Sequence, residues 1–126
     1  MDNRTYRIST HAFNRMASRN ISRAKLAEII YCGQVFAGNN GRHHARLYER
    51  SGKSEICYEA VFSKADHTII SVWSGIRPAL CSGNEDNGKI YIKTKVYKQR
   101  KRALREQEFD SWCREEYGNY SIQFPA

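Results

Sequence analysis

A row of cationic and titratable side chains near the start of the chain is the first feature that could do chemistry. His11, Arg15 and Arg19 recur at intervals of four residues, which stacks side chains on one face of an α-helix. Like charges at this spacing oppose helix formation by about 0.2–0.5 kcal/mol per pair. Arginine binds phosphate through its fork of donors, and histidine exchanges a proton near neutral pH. The row therefore indicates a site for an anion such as phosphate.

A second row follows the turn formed by residues 38–41. Side chains alternate between the two faces of a strand, so one face of the segment 42–50 carries cations, an imidazole and a phenol: Arg42, His44, Arg46, Tyr48 and Arg50. Such a face could hold phosphate and move protons. The solvent side of an ordinary half-buried sheet has a similar composition. Taken alone, the strand favours the solvent-face interpretation, because solvated runs of charged residues are common.

The segment 89–105 contains eight lysines and arginines and no acidic residue. Lysines can follow phosphates while tyrosine rings stack on bases. We therefore predict nucleic-acid contacts from this segment, together with Arg19, Arg42 and Arg50 of the two rows. The residues chosen within it are Tyr91, Lys93, Lys95, Tyr97, Lys98, Arg100, Lys101 and Arg102. The alternative is a basic edge strand that lysines protect from aggregation.

Motifs for metal or nucleotide chemistry do not occur in the sequence. The four histidines form no H-x-x-x-H or H-E-x-x-H pattern, and there is no phosphate-binding P-loop or G-x-S-x-G turn. The four cysteines are scattered without a C-x-x-C pair. We expect no metal, no cofactor and mostly buried, reduced thiols.

Composition points to an anionic partner. The chain has 126 residues with 21 lysines and arginines against 13 acids, a formal net charge of +8. A small protein this basic usually meets a polyanion, most often nucleic acid. No run of about 18 apolar residues and no signal-peptide core occur. These features predict a cytoplasmic protein that binds nucleic acid rather than a membrane.

Local patterns predict an α+β domain. A short strand near residue 6 leads into a helix capped by Ser9 or Thr10, and a second helix runs from the cap Ser22 to Gly33. Period-two segments then predict an antiparallel meander: 42–50, 55–62 and 68–73. We divide the chain into a core of residues 1–74, a loop of residues 75–88, and residues 89–126 packed on the same domain. This last part is predicted to form a basic strand, 89–97, and a C-terminal helix, 98–117.

The motif His11-x-x-x-Arg15-Met16-x-x-Arg19-Asn20-Ile21-Ser22, followed by a helix that closes at Gly33, resembles a family of small, uncharacterised bacterial and phage proteins. That family is often grouped with RelE-like and barnase-like ribonuclease toxins. The resemblance covers about residues 6–74, and Asn20 replaces the more common glycine. It implies two helices on an antiparallel sheet, with a candidate ribonuclease site between the first helix and the sheet.

The favoured hypothesis is a metal-independent endoribonuclease, either toxin-like or an effector encoded by a phage or plasmid, with the 2′-hydroxyl of RNA as nucleophile. Its candidate catalytic residues are His11, Arg15, His44, Arg46 and Tyr48. The alternative is a non-catalytic module that binds nucleic acid or inhibits a host nucleoprotein. A third interpretation is an adaptor whose positive surface meets an acidic partner such as an antitoxin.

Overall fold

The protein has an α+β fold built on one mixed β-sheet. The computed structural model describes residues 5–78, 89–107, 113–116 and 119–125. Within these residues the sheet has seven strands in the order β2-β3-β4-β5-β1-β7-β6. Their bounds are β1 Thr5–Ile8, β2 Gln34–Ala37, β3 Arg42–Ser51, β4 Ser54–Ser63, β5 Thr68–Pro78, β6 Cys113–Glu116 and β7 Asn119–Gln123.

Three described helices accompany the sheet: α1 Thr10–Arg19, α2 Arg23–Cys32 and α3 Lys95–Glu106. The Ser9 hydroxyl caps α1 by accepting a hydrogen bond from the Ala12 amide, and Ser22 caps α2 in the same way. Asn20 ends α1 in the left-handed conformation with φ 56°, which asparagine tolerates better than most residues. The predicted boundaries of α1 and α2 are thus confirmed.

The predicted antiparallel meander is present as β3–β5, and β2 adds a further antiparallel strand beside β3. The sheet as a whole is mixed, because β1 pairs parallel with β5 and antiparallel with β7. Strand β2 is absent from the sequence prediction. Strand β5 continues to Pro78, so the predicted loop begins later than residue 75, and its residues 79–88 lie outside the described part of the chain.

All three helices contribute to one hydrophobic core on one side of the sheet. Leu26 and Ile29 of α2 pack there with Leu47 of β3, and all three are fully buried. Because side chains alternate along a strand, the neighbours of Leu47 in β3 point to the opposite side. We call the two sides the covered face and the open face; no described helix packs on the open face.

Gly33 is required where α2 passes close to β3. A Cβ atom at this position would lie 2.3 Å from the Ile29 carbonyl oxygen and 2.5 Å from that of Arg46. Both are backbone atoms and cannot swing away. Gly33 has φ −81°, so it is a close-approach glycine rather than one selected for a left-handed helix end.

The predicted basic strand 89–97 is wrong. Only Tyr91 forms a β-bridge, parallel to Tyr48, and α3 begins at Lys95. The Thr94 hydroxyl accepts a hydrogen bond from the Tyr97 amide and caps the helix. The period-two pattern is real in the sequence, but this cap begins a helix that buries Tyr97 and Leu104.

The predicted C-terminal helix 98–117 is also wrong in extent. Helix α3 ends at Glu106, and β6 forms a strand pair with β7. Residues 108–112 lie outside the described part of the chain. Strand β7 lies beside β1 and supplies the fully buried Ile122 to the core. Pairing of β6 with β7, which is itself held beside β1, overrides the helical composition of residues 113–116.

A buried carboxylate joins α2 to α3. Glu28 accepts hydrogen bonds from the Tyr97 hydroxyl at 3.1 Å and from Lys25 at 3.3 Å, and it also pairs with Lys101. Burial acts to raise the pKa of Glu28, but Lys101 and Lys25 outweigh it, so the pKa lies below the ordinary value. Burial, together with the same carboxylate, raises the pKa of Tyr97.

No helix in the described part of the chain has both the length and the apolar character needed to cross a membrane.

The Glu28 cluster predicts a pH-dependent contribution to stability. Glu28→Gln should lower the free energy of unfolding at pH 7 by about 1–3 kcal/mol, because it removes a charged acceptor from buried donors. A carboxylate with a lowered pKa stabilises the fold above its unfolded pKa and loses this effect as pH falls through the folded value. The difference in the free energy of unfolding between wild type and variant, measured by urea titration, should therefore decrease as the pH is lowered towards 3.

Glu106→Gln is the control, because among the described residues Glu106 pairs with Arg102 alone, at 3.6 Å, and both side chains are largely exposed. This change should lower the free energy of unfolding by less than about 0.5 kcal/mol. Equal losses for the two variants would contradict the role given to Glu28.

Candidate functional site

A transverse row of polar and aromatic side chains crosses the open face. Arg46 of β3 pairs in register with Glu59 of β4, and Glu59 pairs with Trp73 of β5. Paired residues point to the same side of a sheet. The Arg46 Nε donates to Glu59 Oε2 at 2.5 Å, and this hydrogen bond raises the pKa of Arg46 above its ordinary value. Arg46 uses its Nε here, and its two Nη groups form no hydrogen bond with the described residues.

His44 is two residues before Arg46 in β3, on the same face, and it approaches the same carboxylate. Its Nδ1 is 3.7 Å from Glu59 Oε1, and this buried nitrogen has no hydrogen-bond partner among the described residues. Glu59 thus has Arg46 on one oxygen and His44 near the other. We call His44, Arg46 and Glu59 the carboxylate triad.

Two exposed aromatic rings flank the triad. Trp73 is 44% exposed and Phe36 is 38% exposed. Phe36 pairs in register with His44, and the Arg46 guanidinium lies 5.2 Å from the centre of its ring. Exposed rings on a sheet surface are platforms on which bases can stack. The open face therefore combines cations, a carboxylate, an imidazole and stacking surfaces.

The far end of the open face is filled by an internal polar cluster. Glu55 is fully buried and accepts hydrogen bonds from Lys89 at 3.0 Å and from the Tyr91 hydroxyl at 3.4 Å. Arg50 lies 4.8 Å from the Tyr91 ring centre. Tyr48 is only 6% exposed, and its burial raises the pKa of the phenol.

Three predicted site residues, Tyr48, Arg50 and Tyr91, thus have structural contacts in this cluster. Tyr48 remains protonated at neutral pH, but its burial removes it from direct contact with a large substrate. At the opposite end of the open face, Arg42 begins β3; it is exposed and lies on the same face as His44.

The cationic row of α1 lies on the other side of the sheet. Helix α1 packs on β5 through buried Ala12 and Met16, whereas His11, Arg15 and Arg19 are exposed. Arg19 Nη1 donates to the Ser74 carbonyl at 3.4 Å. It borders a groove of about 420 Å³ whose apolar lining includes Ile56 and Ile76.

The structure therefore does not bring the predicted catalytic residues into one site. His11 and Arg15 project from a helix on the covered face, and His44 and Arg46 lie on the open face. The β3–β5 sheet separates the two pairs. Sequence periodicity correctly predicted one cationic face on α1 and another on β3. It could not predict which face of the sheet the helix covers, because no local pattern carries that information.

The predicted contacts of the basic segment divide into outward and inward residues. Lys93, Lys95, Lys98, Arg100 and Arg102 are exposed, although Arg100 also donates to the Gly33 carbonyl at 3.2 Å. By contrast, Tyr97 is only 8% exposed and donates to Glu28, and Lys101 pairs with the same carboxylate. Their helical positions turn both towards α2, so both contribute to the contact between α2 and α3.

Glu59 and Trp73 are site residues that the sequence reasoning missed. A signal for Glu59 exists in the hairpin between β3 and β4. Gly52 has φ 62° and lies in a two-residue connection between the paired residues Ser51 and Ser54. If pairing is extended from this turn along both strands, Arg46 lies opposite Glu59. The turn therefore contains enough information to predict a carboxylate beside the arginine.

Cysteine and metal chemistry find no support in the described residues. Cys32 and Cys57 are buried, and burial raises the pKa of the Cys32 thiol to about 12, which keeps it protonated at neutral pH. Within residues 5–78, 89–107, 113–116 and 119–125, no three histidine, cysteine or acidic side chains are grouped as metal ligands.

Gly38 provides a test of how His44 is held. A Cβ atom on Gly38 would lie 2.7 Å from His44 Nε2, so Gly38→Ala should displace the imidazole from Glu59. Gly38 has φ −112°, which alanine adopts without strain. The ring resonances of His44 in ¹H–¹⁵N NMR spectra should shift, and those of His11 should not. An unchanged His44 spectrum would contradict the described position of the ring.

In comparisons with known proteins, no family model matches the chain, and no curated protein or solved structure matches it significantly.

Proposed function

We propose that the protein is a metal-independent endoribonuclease of RelE-like or barnase-like type whose site is the carboxylate triad on the open face. The observation that carries the proposal is Glu59, which lies 2.5 Å from Arg46 Nε and 3.7 Å from His44 Nδ1. All three side chains are partly exposed. A proton acceptor, a phosphate ligand and a carboxylate that organises both therefore meet on one accessible surface.

RNA would bind through its phosphates and its bases together. The Nη groups of Arg46 and the exposed Arg42 suit phosphate oxygens, while Trp73 and Phe36 suit the faces of unpaired bases. Both rings project from the same face as the triad, so a single strand lying across β2–β5 would meet all of these groups. The net charge of +8 adds long-range attraction for RNA.

The proposed cleavage uses the 2′-hydroxyl as nucleophile. His44 takes the hydroxyl proton, the 2′-oxygen attacks phosphorus, and the 5′-oxygen leaves with a proton from water, which gives a 2′,3′-cyclic phosphate. Glu59 stabilises the imidazolium that forms and orients its ring. The free donors of Arg46 stabilise the charge that develops on the phosphate oxygens.

Replacement of His44 tests this mechanism. His44→Ala should lower the cleavage rate of a single-stranded RNA in EDTA by about 10²–10⁴-fold, the usual contribution of a general acid or base. His11→Ala is the matched control: His11 is an exposed histidine on the covered side, and its loss should leave the rate unchanged. A fall with His11→Ala and none with His44→Ala would reverse the assignment.

A non-catalytic nucleic-acid-binding module is the second candidate. The observation that favours it is the close Arg46–Glu59 ion pair, together with the position of His44 Nε2 over Gly38. The ion pair uses the Nε of Arg46, and the backbone at Gly38 lies close to the imidazole nitrogen that would take a proton, while the rings of Trp73 and Phe36 remain exposed. Incubation with RNA in EDTA separates the two functions: cyclic-phosphate ends indicate the enzyme, and a salt-sensitive shift without cleavage indicates the binder.

Both candidates predict that Trp73 contributes to RNA affinity. Trp73→Ala should weaken binding of a single strand by about 1–3 kcal/mol if one base stacks on the ring. Ile76→Ala is the control, since Ile76 is an exposed residue of the same strand, 76% accessible, on the opposite face. Fluorescence anisotropy with a labelled oligonucleotide measures both affinities. Equal effects of the two changes would contradict binding on the open face.

A further inference from the structure

Helix α3 carries a row of cations that the carboxylate triad does not use. Lys95, Lys98, Arg102 and Arg105 follow one another at intervals of three, four and three residues, which places them on one side of the helix. All four are exposed. They line, with Lys93 and Gln99, an open groove of about 910 Å³. We call these four residues the α3 stripe.

The opposite side of α3 fixes the orientation of the stripe. Tyr97 and Leu104 are buried in the core, and Lys101 pairs with Glu28 of α2. The hydroxyl of Tyr97 donates to the same carboxylate. These contacts hold α3 against α2, so the stripe faces away from the protein and does not depend on a flexible segment for its position.

The charge of the stripe is largely uncompensated within the described residues. Lys95, Lys98 and Arg105 form no ion pair there. Arg102 lies 3.6 Å from Glu106, but both side chains are more than 70% exposed, and such surface pairs contribute little. Four cations along about 15 Å of helix repel one another and gain from a multivalent anion.

The side chains of the α3 stripe favour nucleic acid over a membrane or a protein as its partner. Val96, at 40%, is the large hydrophobic residue that α3 exposes, and a single valine gives a helix too little apolar surface to enter a membrane interface. Tight protein partners usually require buried aromatic or aliphatic anchors, which the stripe does not offer. A regular row of lysines and arginines suits regularly spaced phosphates.

We propose that the α3 stripe is a second nucleic-acid-binding surface, which holds the phosphate backbone outside the carboxylate triad. It lies on the covered side of the sheet, so it goes beyond the proposed function and does not require that the open face cleave RNA. The chain leads from Lys89 and Tyr91 at the edge of β3 directly into α3. A bound strand would follow the same edge from the open face to the stripe.

The salt dependence of binding tests the proposal without any cleavage. The variant Lys95→Gln/Lys98→Gln/Arg105→Gln and the control Arg15→Gln/Lys53→Gln/Lys64→Gln each remove two lysines and one arginine, all exposed. Both should keep the melting temperature of the wild type. The probes are a 2′-O-methyl RNA strand, which cannot be cleaved by 2′-hydroxyl attack, and a DNA duplex.

The stripe variant should reduce the slope of log K against log salt concentration by up to about 2 for the single strand and about 2.7 for the duplex, since each lost phosphate contact is worth about 0.7 or 0.9. The control should change the slope by less than one unit. Equal changes in the two variants would show that only net charge matters and would overturn the proposal. The proposal would also be overturned if the stripe variant kept the wild-type slope. If Trp73→Ala still weakened RNA binding in that case, the proposed function of the open face would stand.

Discussion

The fold depends on a sheet that the described helices cover on one side only. Leu47 and Ala45 face the helices and are fully buried, so the alternation of the strand sends His44 and Arg46 to the other side. The register with β4 then brings Glu59 beside Arg46. The same pattern of side chains therefore builds the hydrophobic core and the carboxylate triad, and a shift of one residue in β3 would destroy both.

Local signals were sufficient for the first half of the chain. The caps Ser9 and Ser22 and the helix end at Asn20 each have a local mechanism, and the strands β3–β5 alternate in sequence. In these segments the local preference agrees with the final structure. The described elements after residue 88 were predicted less well because their structure depends on distant partners: β7 on β1, and α3 on the buried Glu28 of α2.

The sequence predicted the pairs of side chains in the candidate site, but not how these pairs are placed relative to one another. Sequence periodicity grouped His44 with Arg46 and His11 with Arg15, and both groupings are present in the structure. It could not show that these pairs lie on opposite sides of the sheet, because the covered face is decided by tertiary packing. Glu59 was overlooked since a lone glutamate in a strand carries no local signal, although the hairpin register identifies it.

The central claim is that RNA binds the open face, and NMR mapping with an uncleavable strand tests it most directly. A 2′-O-methyl RNA oligonucleotide titrated into the ¹⁵N-labelled protein should shift the Trp73 indole and the amides around His44 and Glu59. The His11 amide and its neighbours on the exposed side of α1 should remain unchanged. Shifts confined to α1, with the Trp73 indole unaffected, would contradict the account.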